Sequence, residues 1–280
     1  MNKISIIGAG TMGLDIGQMC AQSGYFVIIR DINDDIIARA KAKLDKNLSR
    51  LVEKGKITPE DKQRITGYIT FTTDLNTAVD SDLVVEAIIE DISLKKELYK
   101  TLDAICKPDT IIATNTSSIS ITDLSSIVER KDKFIGMHFF NPVPVMKLVE
   151  VIRGMYTSDE TYQAIYDFAK TIGKEPVSVK DGPGFIVNKI LIPMINEAIF
   201  VLQDGIASAE DIDKAMQLGA NHPMGPLATA DLIGNDTVLH IMNILYQETG
   251  DTKYRPAMLL KNMVRGGLLG RKTGRGFFKY

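Results

Sequence analysis

Short apolar runs rich in β-branched residues alternate with longer stretches of helical periodicity through the first two-thirds of the chain. Residues 3–7 form the first run and lead straight into Gly8-Ala9-Gly10-Thr11-Met12-Gly13. A helical pattern over 11–23 follows and closes at Gly24, and a second apolar run over 25–29 ends in Arg30-Asp31. Further strand-like runs fall at 68–71, 83–87, 110–114, 134–138, 146–152 and 177–180. Between them lie a long helix over 33–53, a short one from Thr58-Pro59-Glu60 to about residue 65, and helices over 94–105 and 121–128. Strands alternating with helices predict a mainly parallel, doubly wound α/β sheet, with a helical hairpin inserted after the second strand. Beyond residue 184 the pattern changes. Helices are predicted over 185–202, 208–218, 228–246 and 255–264, and no strand pattern recurs until the last residues. Two domains are therefore expected, 1–184 and an all-helical 185–280. The first helix of the second is apolar on nearly every side, which predicts burial in a core or a subunit interface, and Pro193 predicts a kink in it.

The opening segment carries a cofactor signal. A G-x-G-x-x-G alone is weak, but here a strand precedes it, a helix follows, and an acid ends the next strand. Gly8 permits the tight turn, Gly10 lets backbone approach a pyrophosphate, and Gly13 allows close helix–strand packing. The helix N-terminus offers unpaired N–H groups to the phosphates. Asp31 can accept the ribose hydroxyls and would repel a 2′-phosphate, so NAD is favoured over NADP. Arg30 argues mildly the other way. Asp15 stands in the first turns of the same helix: facing the phosphates it weakens binding, facing solvent it complements the helix dipole.

Ligands of such sheets bind outside the carboxyl ends of the strands, which singles out residues 86–90, Asn115-Thr116-Ser117-Ser118 and His138-Phe139-Phe140-Asn141. Only three histidines occur. His138 and Glu150 lie symmetrically about Pro144. If the chain folds back there they face each other, and a carboxylate would fix the imidazole tautomer and stabilise imidazolium. A structural histidine beside an edge-strand glutamate is the alternative. Asn188, in the first turns of the apolar helix, either caps a neighbouring loop or points toward a substrate. The hairpin carries Lys41, Lys43, Lys46, Arg50, Lys54 and Lys56, either a solvated face or a clamp for a polyanion.

Charge and composition narrow the class. Thirty-three basic and 35 acidic residues give a net charge of −2, without the basic excess of a nucleic-acid binder. No apolar run reaches the ~18–20 residues that cross a bilayer. Two cysteines form neither a disulfide framework nor a metal-ligand pattern. A cytoplasmic protein without metal, nucleic-acid or membrane partners is expected.

These segments resemble the 3-hydroxyacyl-CoA dehydrogenases, and among them the bacterial 3-hydroxybutyryl-CoA dehydrogenases, over essentially the whole chain. The segments His138-Phe139-Phe140-Asn141-Pro142 and Asn221-His222-Pro223-Met224-Gly225-Pro226 are far more specific than the glycine turn, and 114–118, 182–198 and 270–278 add to them. The resemblance implies a Rossmann-like domain followed by a helical substrate and dimerisation domain. It implies hydride exchange between NAD(H) and a 3-hydroxyacyl-CoA, with (S)-3-hydroxybutyryl-CoA and acetoacetyl-CoA the expected pair. The family's catalytic histidine and its glutamate fall on His138 and Glu150, and Ser117 and Asn188 fall on the residues that hold substrate and nicotinamide. Cofactor contacts fall on Gly8, Gly10, Thr11, Met12, Gly13, Asp31, Glu90, Lys95, Asn115, Ser117 and Asn141. Coenzyme A contacts fall on Asn47, Arg50, Lys54 and Lys95, besides Ser117 and Asn188. Asp15 stands where the family carries a small residue. A same-superfamily enzyme for a free hydroxy acid of the L-gulonate type, or a non-catalytic NAD-binding relative, are the rival readings.

Overall fold

The computed structural model describes residues 1–280, which divide into two compact units, Met1–Asp181 and Gly182–Tyr280. The first unit opens with β1 (Lys3–Ile7), α1 (Thr11–Gln22) and β2 (Phe26–Arg30), then α2 (Asp34–Glu53), α3 (Pro59–Gly67) and β3 (Ile69–Thr72). It continues through β4 (Leu83–Glu86), α4 (Ile92–Ile105), β5 (Ile111–Thr114), α5 (Ile121–Ser125), β6 (Phe134–Phe139), β7 (Leu148–Arg153), α6 (Asp159–Thr171) and β8 (Glu175–Lys180).

The eight strands form one sheet in the order β3-β2-β1-β4-β5-β6-β7-β8. Every neighbouring pair is parallel except β6 with β7. Strands β4, β5 and β6 are buried at every position, as strands covered on both faces must be. The chain leaves β1 toward β2 and β3 on one side and returns on the other at β4. That reversal opens a crevice at the carboxyl ends of β1 and β4. β8 is an edge strand, exposed along most of its length, and so tolerates Pro176.

Local chemistry accounts for the helix starts. Asn33 Oδ1 accepts the Ile36 N–H at the start of α2, and Thr58 with Asp61 forms a capping box on α3, whose first residue is Pro59. The sheet expectation holds, with three differences. α6 was not anticipated, although Ser158 caps it and its apolar residues Ile165, Phe168 and Ala169 are buried with helical spacing. α5 stops at Ser125 rather than at 128. Asp15 does not face open solvent, the second of the two alternatives; it is 7% exposed within α1.

The second unit comprises α7 (Val187–Gln203), α8 (Ala209–Ala220), α9 (Pro226–Ile233), α10 (Asn235–Thr249) and α11 (Met258–Arg265). Its core gathers Ile192, Ile195, Ile199, Leu227, Val238, Met242 and Leu245. The single helix expected over 228–246 is two helices, because Gly234 takes φ +104° between them, a conformation open to glycine. α7 runs unbroken through Pro193 but is not buried all round: Ile190 is 67% exposed in the single chain.

The motifs specific to this unit are structural. Asp213 on α8 accepts the Leu227 and Ala228 N–H groups at the start of α9, at 2.8 Å each. A Cβ on Gly225 would lie 2.1 Å from the Asp213 carboxyl carbon. Asp231 accepts the Phe277 and Phe278 N–H groups, and Cβ atoms on Gly270 or Gly276 would collide with it. No helix of the chain is long and apolar enough to cross a membrane.

Candidate active site

The glycine turn fits a dinucleotide. Gly8 takes φ +110°, and a Cβ there would lie 2.5 Å from the Ala87 carbonyl oxygen, so the turns after β1 and β4 touch. A Cβ on Gly13 would lie 1.9 Å from the Gly8 carbonyl oxygen. Gly10 is different, since a Cβ there meets nothing within 4 Å. No protein packing requires glycine at position 10. Its lack of a side chain keeps the backbone at the N-terminus of α1, including Thr11 and Met12, open to an approaching group.

Asp31 lies at the end of β2. Its Oδ2 accepts the Ala9 N–H at 2.6 Å and its Oδ1 accepts the Ile32 N–H at 2.7 Å. Each carboxylate oxygen retains acceptor capacity for a hydroxyl. Arg30 Nε donates to the Thr73 carbonyl at 3.1 Å.

A buried polar network stands beside the crevice. Glu86, fully buried at the end of β4, accepts from Lys95 Nζ at 2.6 Å, from the Ile88 N–H at 2.7 Å and from Thr114 Oγ1 at 2.8 Å. The Tyr99 hydroxyl donates to it as well. Burial first, and the Glu86 carboxylate second, hold the Tyr99 hydroxyl well above its ordinary range, so Tyr99 stays a donor. Lys95 also pairs with Glu90 Oε2 at 3.1 Å. Glu90 in turn accepts from Thr116 Oγ1, from the Ser117 N–H at 3.0 Å and from Ser118 Oγ at 3.1 Å. Burial alone would raise the Glu90 carboxyl. The Lys95 ammonium and these donors outweigh it and hold the group below the usual carboxylate range.

The network fixes the loop after β5 through its backbone, and Asn115 ties that loop to the next strand. Asn115 Oδ1 accepts the Phe139 N–H at 2.8 Å, so Ser117 and His138 belong to segments held together at one end of the sheet.

His138 and Glu150 face each other across the antiparallel β6–β7 pair, where the register places 138 opposite 150. His138 Nδ1 lies 2.7 Å from Glu150 Oε2, and the two residues are 5% and 1% exposed. Phe140 packs against the imidazole with ring centres 4.5 Å apart. An imidazole with one nitrogen fixed by a buried carboxylate is set up to exchange a proton at the other. The turn between the two strands is held from α6's end. Lys174, 7% exposed, donates to the Val143 carbonyl and, at 2.6 Å, to the Met146 carbonyl; Asn141 opens that turn and is exposed.

Residues 3–182 match the 3-hydroxyacyl-CoA dehydrogenase NAD binding domain, and residues 184–280 match the C-terminal domain of the same family. The chain belongs to the 3-hydroxyacyl-CoA dehydrogenase family. It is 54% identical to a 3-hydroxybutyryl-CoA dehydrogenase of Clostridioides difficile, covering 99% of both chains. It is 43% identical to the human mitochondrial hydroxyacyl-coenzyme A dehydrogenase, covering all of this chain and 91% of the other. A crystal structure of (S)-3-hydroxybutyryl-CoA dehydrogenase from Ralstonia eutropha superposes with a TM-score of 0.98 at 51% identity, covering 100% and 99% of the two chains. The eight-stranded domain is thus the NAD-binding domain of a 3-hydroxyacyl-CoA dehydrogenase.

The positions that the resemblance singled out distribute unevenly in this family member. The first unit holds His138, Glu150, Ser117, Asn115, Asn141, Asp31, Glu90 and the glycine turn; Asn188, the second residue of α7, belongs to the other unit. Asn47 and Arg50 lie along α2 and Lys54 follows its last residue, with Arg50 and Lys54 exposed. Lys95 stands apart from them. It is 1% exposed and committed to Glu86 and Glu90, so it is no part of an open basic face. Sequence reasoning missed Tyr99 and Lys174. A tyrosine on a helix or a lysine in a loop carries no signal of an inward partner. Thr116 and Ser118 lie in the segment that the carboxyl-end rule singles out, and the structure adds their bonds to Glu90.

Proposed function

We propose that this chain is an NAD-dependent oxidoreductase interconverting (S)-3-hydroxyacyl-CoA and 3-oxoacyl-CoA, with (S)-3-hydroxybutyryl-CoA and acetoacetyl-CoA as the preferred pair. The observation that carries the reading is the buried His138–Glu150 pair at 2.7 Å, in the same domain as an open dinucleotide turn. Bound NAD supplies the hydride acceptor, and NADH the donor, at the nicotinamide C4. Glu150 holds Nδ1, so the proton of the 3-hydroxyl passes to His138 Nε2 during oxidation and returns to the forming alkoxide during reduction. The buried carboxylate stabilises the imidazolium that carries this proton.

Ser117, whose backbone is anchored by Glu90, holds the reacting oxygen. Asn188 holds the substrate oxygens from the helical domain. Gly8 to Gly13 and Asp31 hold the diphosphate and adenosine ribose, and Asn115, Asn141, Glu90 and Lys95 shape the nicotinamide side. Asn47, Arg50 and Lys54 give a basic face suited to the phosphates of coenzyme A. On this reading residues 1–184 are the NAD-binding domain, residues 185–280 are a helical substrate and dimerisation domain, and the protein works in the cytoplasm on fatty-acid and butanoate intermediates.

The test is His138→Ala in a stopped-flow and binding pair. NADH binding is expected to persist while acetoacetyl-CoA reduction falls by about 10²–10⁴-fold. Full turnover in that variant would overturn the assignment.

A further inference from the structure

The glycine turn is accompanied by a cation that its own spacing does not explain. Lys43 stands midway along α2, and its Nζ donates to Thr11 Oγ1 at 3.1 Å. Thr11 is the first residue of α1, whose preceding residue, Gly10, provides no side-chain cap. An ammonium therefore stands beside the exposed N–H groups that receive a diphosphate. One turn further along α1, Asp15 is buried, and a carboxylate there opposes any anion held at that helix end. Burial pushes the Asp15 carboxyl up, and the cation acting against that is Lys43. The periodicity of α2 extends the pattern. Arg39, Lys43, Lys46, Arg50 and Lys54 fall within an arc of about 80° on the helix, so one basic stripe runs from the hairpin end to the glycine turn.

We propose that Lys43 is a diphosphate-binding residue of the cofactor site, contacting the NAD diphosphate beside Thr11 while offsetting the charge of Asp15. The inference rests on the NAD reading of the turn. Coenzyme A also carries a diphosphate. The hydrogen bond to the first residue of α1, rather than to the hairpin end, assigns Lys43 to NAD.

The experiment compares the wild-type chain with Lys43→Met. It measures dissociation constants for NADH, ADP-ribose and adenosine by fluorescence titration and competition, with the KM for acetoacetyl-CoA alongside. Lys43 is exposed, and unfolding temperature checks that the variant is intact. Binding of NADH and of ADP-ribose is expected to weaken by about tenfold, a single charge-assisted contact, with adenosine and the acetoacetyl-CoA KM changing by less than about twofold. In an Asp15→Ala background, Lys43→Met is still expected to weaken NADH binding by about threefold or more.

Three results would overturn the proposal. The first is NADH affinity within about twofold of wild type. The second is a loss confined to acetoacetyl-CoA, which assigns Lys43 to the coenzyme A diphosphate. The third is an effect that vanishes in the Asp15→Ala background, which leaves Lys43 only as a screen for Asp15. Wild-type protein that fails to bind NADH at all would instead remove the cofactor reading itself, so the two failures are distinguishable.

Discussion

At the scale of single residues, the site divides between groups that exchange protons and groups that hold them still. Glu150 acts through His138, so Glu150→Gln is expected to keep NADH binding and lower turnover, with the pH profile of kcat shifted because the imidazolium loses its counter-charge. An unchanged profile would make Glu150 merely a packing residue. Lys95 belongs to the second kind. It is buried between Glu86 and Glu90, so Lys95→Met strands two carboxylates. A loss of about 3–5 kcal/mol in unfolding free energy is expected by denaturant titration; a loss below about 1 kcal/mol would show that the carboxylates are repaired by other donors. The difference in what the sequence shows of these two sites is physical. His138 and Glu150 are legible because a two-residue period and a central turn make their facing a matter of symmetry. Lys95 and Tyr99 on α4 and Lys174 in the loop before β8 are not, because a long polar side chain reads as surface until the partner that draws it inward is seen.

At the scale of elements, the glycine turn shows two uses of one residue type. Gly13 is required by the protein itself, since its Cβ would collide with the Gly8 carbonyl oxygen at 1.9 Å. Gly10 faces open space, so no protein contact requires it, and on the proposed reading its reason is the ligand. Gly13→Ala is therefore expected to destabilise the fold by about 1–3 kcal/mol in thermal or denaturant unfolding. Gly10→Ala is expected to cost about 1 kcal/mol or less while weakening NADH binding by about tenfold or more. The reverse ranking would contradict this division. The inner strands β1, β4 and β5 were legible to within a residue or two because parallel strands buried on both faces read as short apolar runs. α6 was passed over although its caps and periodicity are present in the sequence. The break at Gly234 was lost for the opposite reason, because apolar periodicity continues across it and only the positive φ interrupts the helix.

For the whole molecule, the helical unit leaves Ile190, Ile206, Leu218 and Met258 between 54% and 77% exposed in the single chain. Apolar surface of this kind marks an interaction face when it is contiguous. Light scattering is expected to give twice the 30.9 kDa of one chain, and a monomer at micromolar concentration would contradict the dimer. Arg50 and Lys54, the exposed cations proposed for coenzyme A, make a separate demand. Attraction of exposed lysines and arginines for phosphates is screened as ionic strength rises, so the KM for a coenzyme A thioester should climb with salt. The measurement that tests the central claim most directly is NADH oxidation with acetoacetyl-CoA at low and high salt, run beside free acetoacetate and NADPH. Rapid turnover confined to the thioester with NADH, and weakened by salt, is the expected result. Binding of NADH without turnover of the thioester, or equal turnover of the free acid, would contradict it.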